Sequence, residues 1–140
     1  MSAGFTDAEL DVLMEAADRL MPADGNLPSV AESGLREIYL EQALVARPDA
    51  DPMLHEFARE ALEHGIAETL ENSRAHRPEM WEAVTTVLPG GYLLSPDVRS
   101  ALGYRGQTPQ LIPVDGRPDY EEFISAVTER GPAYRPTPPQ

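Results

Sequence analysis

Residues 51–72 read DPMLHEFAREALEHGIAETLEN, and the pattern within them decides the fold. Leu54, Phe57, Ala58, Ala61, Leu62, Gly65, Ile66 and Thr69 recur at the three- and four-residue spacing that lines one face of an α-helix, with Glu and Arg on the opposite face. Asp51 reads as an N-cap, and Pro52 takes the first helical position, where a missing amide proton costs no hydrogen bond. The spacing predicts the longest helix of the chain, ending near Asn72.

The same reading extends in both directions. Upstream, Thr6 and Glu9 have the T-x-x-E spacing of a capping box, which opens a helix running to Met21, just before Pro22. Leu10, Leu13, Met14, Ala17 and Leu20 share its apolar face. PADGNLP (22–28) is a turn, and Ser29 with Glu32 repeats the capping-box spacing to open a second helix with Ala31, Leu35, Ile38, Tyr39 and Val45 as its stripe. Downstream, Pro78 begins a fourth helix carrying Met80, Trp81, Val84, Val87 and Leu88, which Pro89-Gly90-Gly91 should end.

Beyond residue 88 the texture changes to short pieces punctuated by Gly, Pro and Tyr. Ser95-Pro96 starts a turn or two of helix that Gly103 stops, Gln110 to Val114 is the one stretch with strand character, and Asp119 with Glu122 caps a last helix over Tyr120, Phe123, Ile124 and Val127. The expected architecture is all-α: a small bundle of four main amphipathic helices plus a short C-terminal helix, with an extended Gly/Pro-rich C-terminal segment. Residues 1–130 are expected to form a single domain and 131–140 a polar, proline-rich tail.

Composition narrows the function. A chain of 140 residues can bury roughly two thirds of the surface its unfolded form exposes, enough for one helical core. It has no cysteine, which removes disulfides, thiolate metal sites, Fe–S clusters and thiol nucleophiles. A net charge of -13 argues against nucleic acid or an anionic membrane surface as partner, since contact would add repulsion instead of releasing counterions. Residues 1–71 hold 16 Asp and Glu against 4 Arg, net -12, whereas 72–140 hold 8 against 7, net -1, so the acidic surface belongs to the first half. The opening MSAGFTDAELDV has neither a basic region nor an apolar one, and no apolar run has membrane-spanning length.

Catalytic constellations are sparse. Glu60 and His64 form an i, i+4 pair on one helix face and are ligand-capable. No Glu-x-x-His or His-Glu-x-x-His accompanies them, so solvated helix-face residues are the preferred reading over a metal. There is no Gly-x-Ser-x-Gly, no Gly-x-Gly-x-x-Gly and no lysine for a phosphate loop. The group that stands out is Tyr92, Arg99, Tyr104 and Arg105, because Tyr and Arg supply rigid contact area and forked hydrogen bonds at interfaces. Ordinary loop packing of the tyrosines accounts for them equally well.

Two stretches carry a resemblance to a known family. AADRLMPADGNLPSVAESGLREIYLEQAL (16–44) is similar to the opening of the gluconate 2-dehydrogenase subunit 3 family, with its Ala-Asp-Arg-Leu-x-Pro-Ala-Asp turn and following Ala-x-x-Gly helix. GGYLLSPDVRSALGYRGQTP (90–109) resembles that family's Gly-Tyr segment with Asp-x-Arg and a Gly-Tyr-x-Gly turn. Ala17, Asp18, Arg19, Leu20, Pro22, Ala23 and Asp24 match the first motif, and Gly91, Tyr92, Asp97, Arg99, Gly103, Tyr104 and Gly106 the second.

The resemblance implies a small, helical, non-catalytic subunit that binds and stabilises a large flavoprotein of the glucose-methanol-choline oxidoreductase type. FAD and the sugar or alcohol substrate would belong to that partner, and a cytochrome subunit would receive electrons in some complexes. Arg19, Tyr92, Asp97, Arg99, Tyr104 and Arg105 are the candidate partner-binding residues, with no catalytic residue and no metal in this chain. Arg19 is suited either to tie the PADG turn through charge-assisted bonds or to reach the partner. Family members often carry a twin-arginine leader; no Arg-Arg and no apolar leader precede Phe5 here, so a cytoplasmic complex is expected, or an extracytoplasmic one if a leader lies upstream. The alternative to the accessory subunit is a stand-alone binding or enzymatic helical domain using the Glu60 and His64 face near Trp81.

Overall fold

The computed structural model describes residues 4–107 and 120–131, and among them all regular structure is helical. The all-α expectation holds. The helices are α1 (Asp7–Leu20), α2 (Leu40–Ala46), α3 (Asp51–His64), α4 (Ile66–His76), α5 (Pro78–Leu94), α6 (Pro96–Ala101) and α7 (Tyr120–Glu129), with a π-helical turn at Leu35–Tyr39 and a 3-10 turn at Pro48–Ala50. The chain divides into two compact units, Met1–Gly106 and Gln107–Gln140. The strand character at 110–114, the Asp119 cap and the tail at 132–140 fall outside the described residues.

α1 begins as its sequence requires. Glu9 N donates to Thr6 Oγ1 at 3.3 Å and Thr6 N donates to Glu9 Oε2 at 2.7 Å, a complete capping box. Phe5, one residue before the cap, and Leu10, the fourth helical residue, are both buried, the placement of a hydrophobic staple. Phe5 also stacks on His55 of α3, ring centroids 3.8 Å apart. Leu10, Leu13 and Ala17 enter the core and Met14 and Leu20 pack at its edge.

The second helix departs from expectation. The Ser29–Glu32 box forms, with Ser29 N donating to Glu32 Oε2 at 2.9 Å and Glu32 N to Ser29 Oγ at 3.3 Å, but it closes only the turn at 30–34. Ile38 N and Tyr39 N then both donate to Gly34 O, at 3.1 and 3.3 Å, and the second of these is the wide i to i−5 bond of a π-turn. One residue is added to the helical register, so the buried set is Leu35, Leu40, Ala43 and Leu44, while Ile38 and Val45 face outward; Ala31 lies in the turn before the helix and is exposed.

Two further boundaries move. The long third helix is broken at Gly65, whose φ of 92° and ψ of 147° lie where an L side chain is strained, giving separate α3 and α4. Leu62, expected inside, is exposed just before that break. α5 does not stop at Pro89-Gly90-Gly91 but carries them inside its 17 residues. The reason is tertiary: α5 is the central element, touching α1, α2, α3, α4 and α6, and its final turns bury Leu88, Gly91 and Tyr92 against them. Tertiary burial of this kind overrides local helix breakers.

Candidate functional site

The second resembling segment builds its surface from a helix stop. Ser95, extended as residues before proline are, lets Pro96 open α6, and the fully buried Val98 fastens that short helix to the core. At its end Gly103 N donates to Ser100 O at 3.0 Å and Tyr104 N to Arg99 O at 2.9 Å, with Gly103 at φ 70°. This pair of bonds is a Schellman motif, which folds Tyr104 back over the turn that carries Arg99.

The result is an open hollow of about 580 Å³ lined by Pro96, Arg99, Ser100, Gly103, Tyr104, Arg105 and Gly106. Tyr104 is 56 % exposed. Asp97 is exposed in the first turn of α6. Among the described residues no carboxylate pairs with Arg99 or Arg105. In a chain where acids outnumber arginines by 24 to 11, two guanidinium groups with no carboxylate partner among the described residues, beside an exposed tyrosine, have hydrogen-bonding capacity to offer another molecule.

Tyr92 does not join them. It is buried, and its hydroxyl donates to Pro28 O at 2.6 Å, with burial holding the phenol above its usual pKa. That bond ties the Gly-Tyr segment to the PADGNLP turn, so the two resembling stretches meet. Gly91 lies at the same junction: a Cβ there would come within 2.6 Å of Leu35 Cδ1 and 3.2 Å of Tyr39 O. Arg19 does not tie the PADG turn; it pairs back along α1 with Glu15 at 3.0 Å. The structure therefore gathers Arg99, Tyr104 and Arg105, sets Asp97 on the helix that carries Arg99, uses Tyr92 as an internal strap and leaves Arg19 exposed at the end of α1.

The Glu60 and His64 face lines a second hollow of about 420 Å³ with Glu68, Thr69, Glu71, Asn72, Ala75 and His76 where α3 meets α4. Trp81 does not line it. Glu60 is held by Arg77, whose Nη1 lies 3.0 Å from Glu60 Oε1 and whose Nη2 lies 2.8 Å from Glu56 Oε1. Those two carboxylates raise the guanidinium pKa, Glu56 contributing most. Among the described residues no group of three or more His, Asp or Glu is placed to hold a metal ion. No helix there is long and apolar enough to cross a membrane.

A third surface was not anticipated. Ile38 and Val45, 51 % and 79 % exposed, line a shallow hollow with Glu37, Glu41 and Gln42. No local signal marks them, because their exposure follows from the π-turn.

No protein-family model, no curated protein and no solved structure matches this chain.

Proposed function

We propose that this chain is a non-catalytic accessory subunit that binds and stabilises a large FAD-dependent oxidoreductase acting on sugars or other alcohols. The observation that carries the reading is the hollow at the end of α6, where Arg99, Tyr104 and Arg105 stand exposed and, among the described residues, neither arginine has an ion pair. Arg and Tyr are the residues most often found as energetic anchors of protein interfaces. The resemblance of residues 16–44 and 90–109 to the gluconate 2-dehydrogenase subunit 3 family supplies the kind of partner, and the Tyr92–Pro28 bond joins those two stretches into one framework. On this reading FAD and substrate reside in the large subunit, with a cytochrome subunit as a further member.

The test is co-expression of the tagged chain with the flavoprotein encoded beside it, followed by capture and an absorbance spectrum. A stoichiometric complex with flavin bands supports the proposal. A colourless chain that purifies alone, with its melting temperature unmoved by the flavoprotein, overturns it. The Glu60 and His64 hollow is the basis of the second reading, a stand-alone small-molecule-binding domain; a ligand-dependent rise in melting temperature that His64→Ala removes would favour it.

A further inference from the structure

The hollow at the end of α6 differs in charge from the other hollows described. Glu60, Glu68 and Glu71 line the one where α3 meets α4, Glu37 and Glu41 the one beside Ile38, and Asp49, Glu79 and Glu82 one beside Arg47. No carboxylate lines the hollow of Arg99 and Arg105. From residue 83 to residue 106 the sequence holds one acid, Asp97, against those two arginines. Asp97 precedes Arg99 by two residues, a spacing at which side chains on a helix do not face each other, and the two form no ion pair.

The chemistry of the lining selects its occupant. Arg99, Ser100, Tyr104 and Arg105 carry side-chain donors, and none of the four side chains bonds to a described residue. The nearby backbone amides of Gly103 and Tyr104 are already used within the turn. Phosphate sites draw on backbone N–H groups at a helix N-terminus, whereas this hollow lies at a C-terminal end, where the helix dipole is negative. What the hollow offers is the guanidinium fork, whose two parallel N–H groups match a planar carboxylate. Leu102 and Tyr104, 53 % and 56 % exposed, flank Gly103 in the sequence and add apolar area that a small anion would leave uncovered. The turn is also set before anything binds, since Val98 is fully buried and Gly103 and Gly106 hold φ of 70° and 79°. A preformed turn loses little freedom on binding.

We propose that this hollow receives an acidic segment of the large subunit, whose Asp or Glu carboxylates form forked hydrogen bonds with Arg99 and Arg105 while an apolar neighbour covers Tyr104. The proposal rests on the accessory-subunit reading and gives the chemistry of the partner surface that reading requires. With a net charge of -13 the chain as a whole repels an acidic partner, so the contact depends on short-range bonds to these two arginines.

The probe is a blocked peptide, Gly-Glu-Leu-Glu-Gly-Glu-Leu-Glu-Gly, titrated into the isotope-labelled full chain and followed by amide chemical shifts. Salt near 0.15 M screens charges beyond about 8 Å and so limits repulsion by distant acids. Shifts centred on residues 96–106 are expected at millimolar peptide. Arg99→Gln and Arg105→Gln should each weaken binding about fivefold, and Arg99→Lys, which keeps the charge and loses the fork, should recover only part of it. Both arginines are exposed, so these variants should melt with the wild type. Absence of shifts at 96–106, equal binding by the double Gln variant, or equal binding of the peptide with Gln for Glu would each overturn the proposal. So would inorganic phosphate moving the same resonances at lower concentration than the peptide, which would make the hollow a small-anion site. In the flavoprotein complex, loss of capture when Arg99→Glu and Arg105→Glu are combined supports the proposal, and unchanged capture overturns it while leaving the accessory reading to another surface. If the wild type captures no flavoprotein, the accessory reading falls, and the peptide titration still decides whether the hollow takes an acidic segment.

Discussion

The hydroxyl of Tyr92 reaches the carbonyl oxygen of Pro28 across 64 residues of sequence, at 2.6 Å, and fastens the end of α5 to the turn after α1. Removing it with Tyr92→Phe should lower stability by about 1–2 kcal/mol in urea unfolding, since the carbonyl loses its donor at little change in shape. Burial raises the folded-state pKa of Tyr92 above the ordinary 10.0, so the neutral form is favoured in the fold. The sign follows: this contribution is fully present below about pH 10 and is lost as pH rises through the folded value. Tyr92→Phe should flatten the alkaline limb of the stability profile.

Gly91→Ala should destabilise by about 1–3 kcal/mol, because the new methyl meets Leu35 Cδ1 and the Tyr39 carbonyl at distances that force the helices apart. A double-mutant cycle with Leu35→Ala checks the cause. Coupling between the two sites is expected; strict additivity would mean that the Leu35 contact is not the source.

The capping box at α1 predicts an acid limb. Glu9 is held below its ordinary pKa of 4.5, first by its hydrogen bond from the Thr6 backbone amide, and Glu32 is lowered in the same way by Ser29. A lowered folded-state pKa contributes stability above the unfolded value that disappears as pH falls through the folded one. Thr6→Ala should cost about 1 kcal/mol near neutrality, and Glu9→Gln should make the melting temperature less dependent on pH below about 4.5. An unchanged acid limb in Glu9→Gln would contradict this.

Arg99→Ala and Tyr104→Ala separate interface from scaffold. Both side chains are exposed, so stability should stay within about 0.5 kcal/mol of wild type by thermal melting. Affinity for the flavoprotein should fall by about tenfold or more if these residues are interface anchors. Loss of stability without loss of affinity would assign them to the fold.

What was legible in the sequence was what local chemistry decides. The Thr6–Glu9 box, the Leu10, Leu13 and Ala17 stripe and the Gly103 stop depend on near neighbours, and the structure shows each of them. The outward turn of Ile38 and Val45 was not legible, because the π-turn that produces it sits where the chain packs onto Gly91, about fifty residues away. The break at Gly65 was hidden by an apolar spacing that runs on through it. Of the candidate site, Arg99, Tyr104 and Arg105 could be grouped because one turn carries them all. The burial of Tyr92 could not be foreseen, since its partner Pro28 lies in another segment.

Pro89 lies within α5 without an amide proton, so the Thr85 carbonyl lacks its usual i+4 donor, and two glycines of low helix propensity follow. The stretch from Pro89 to Leu94 is therefore helical conditionally, through the burial of Gly91 and Tyr92 and not through its own preference. Its backbone order acts as an internal gauge of the core: where packing against residues 28–39 loosens, this stretch should be among the first to exchange its amide hydrogens, ahead of the helix that precedes it.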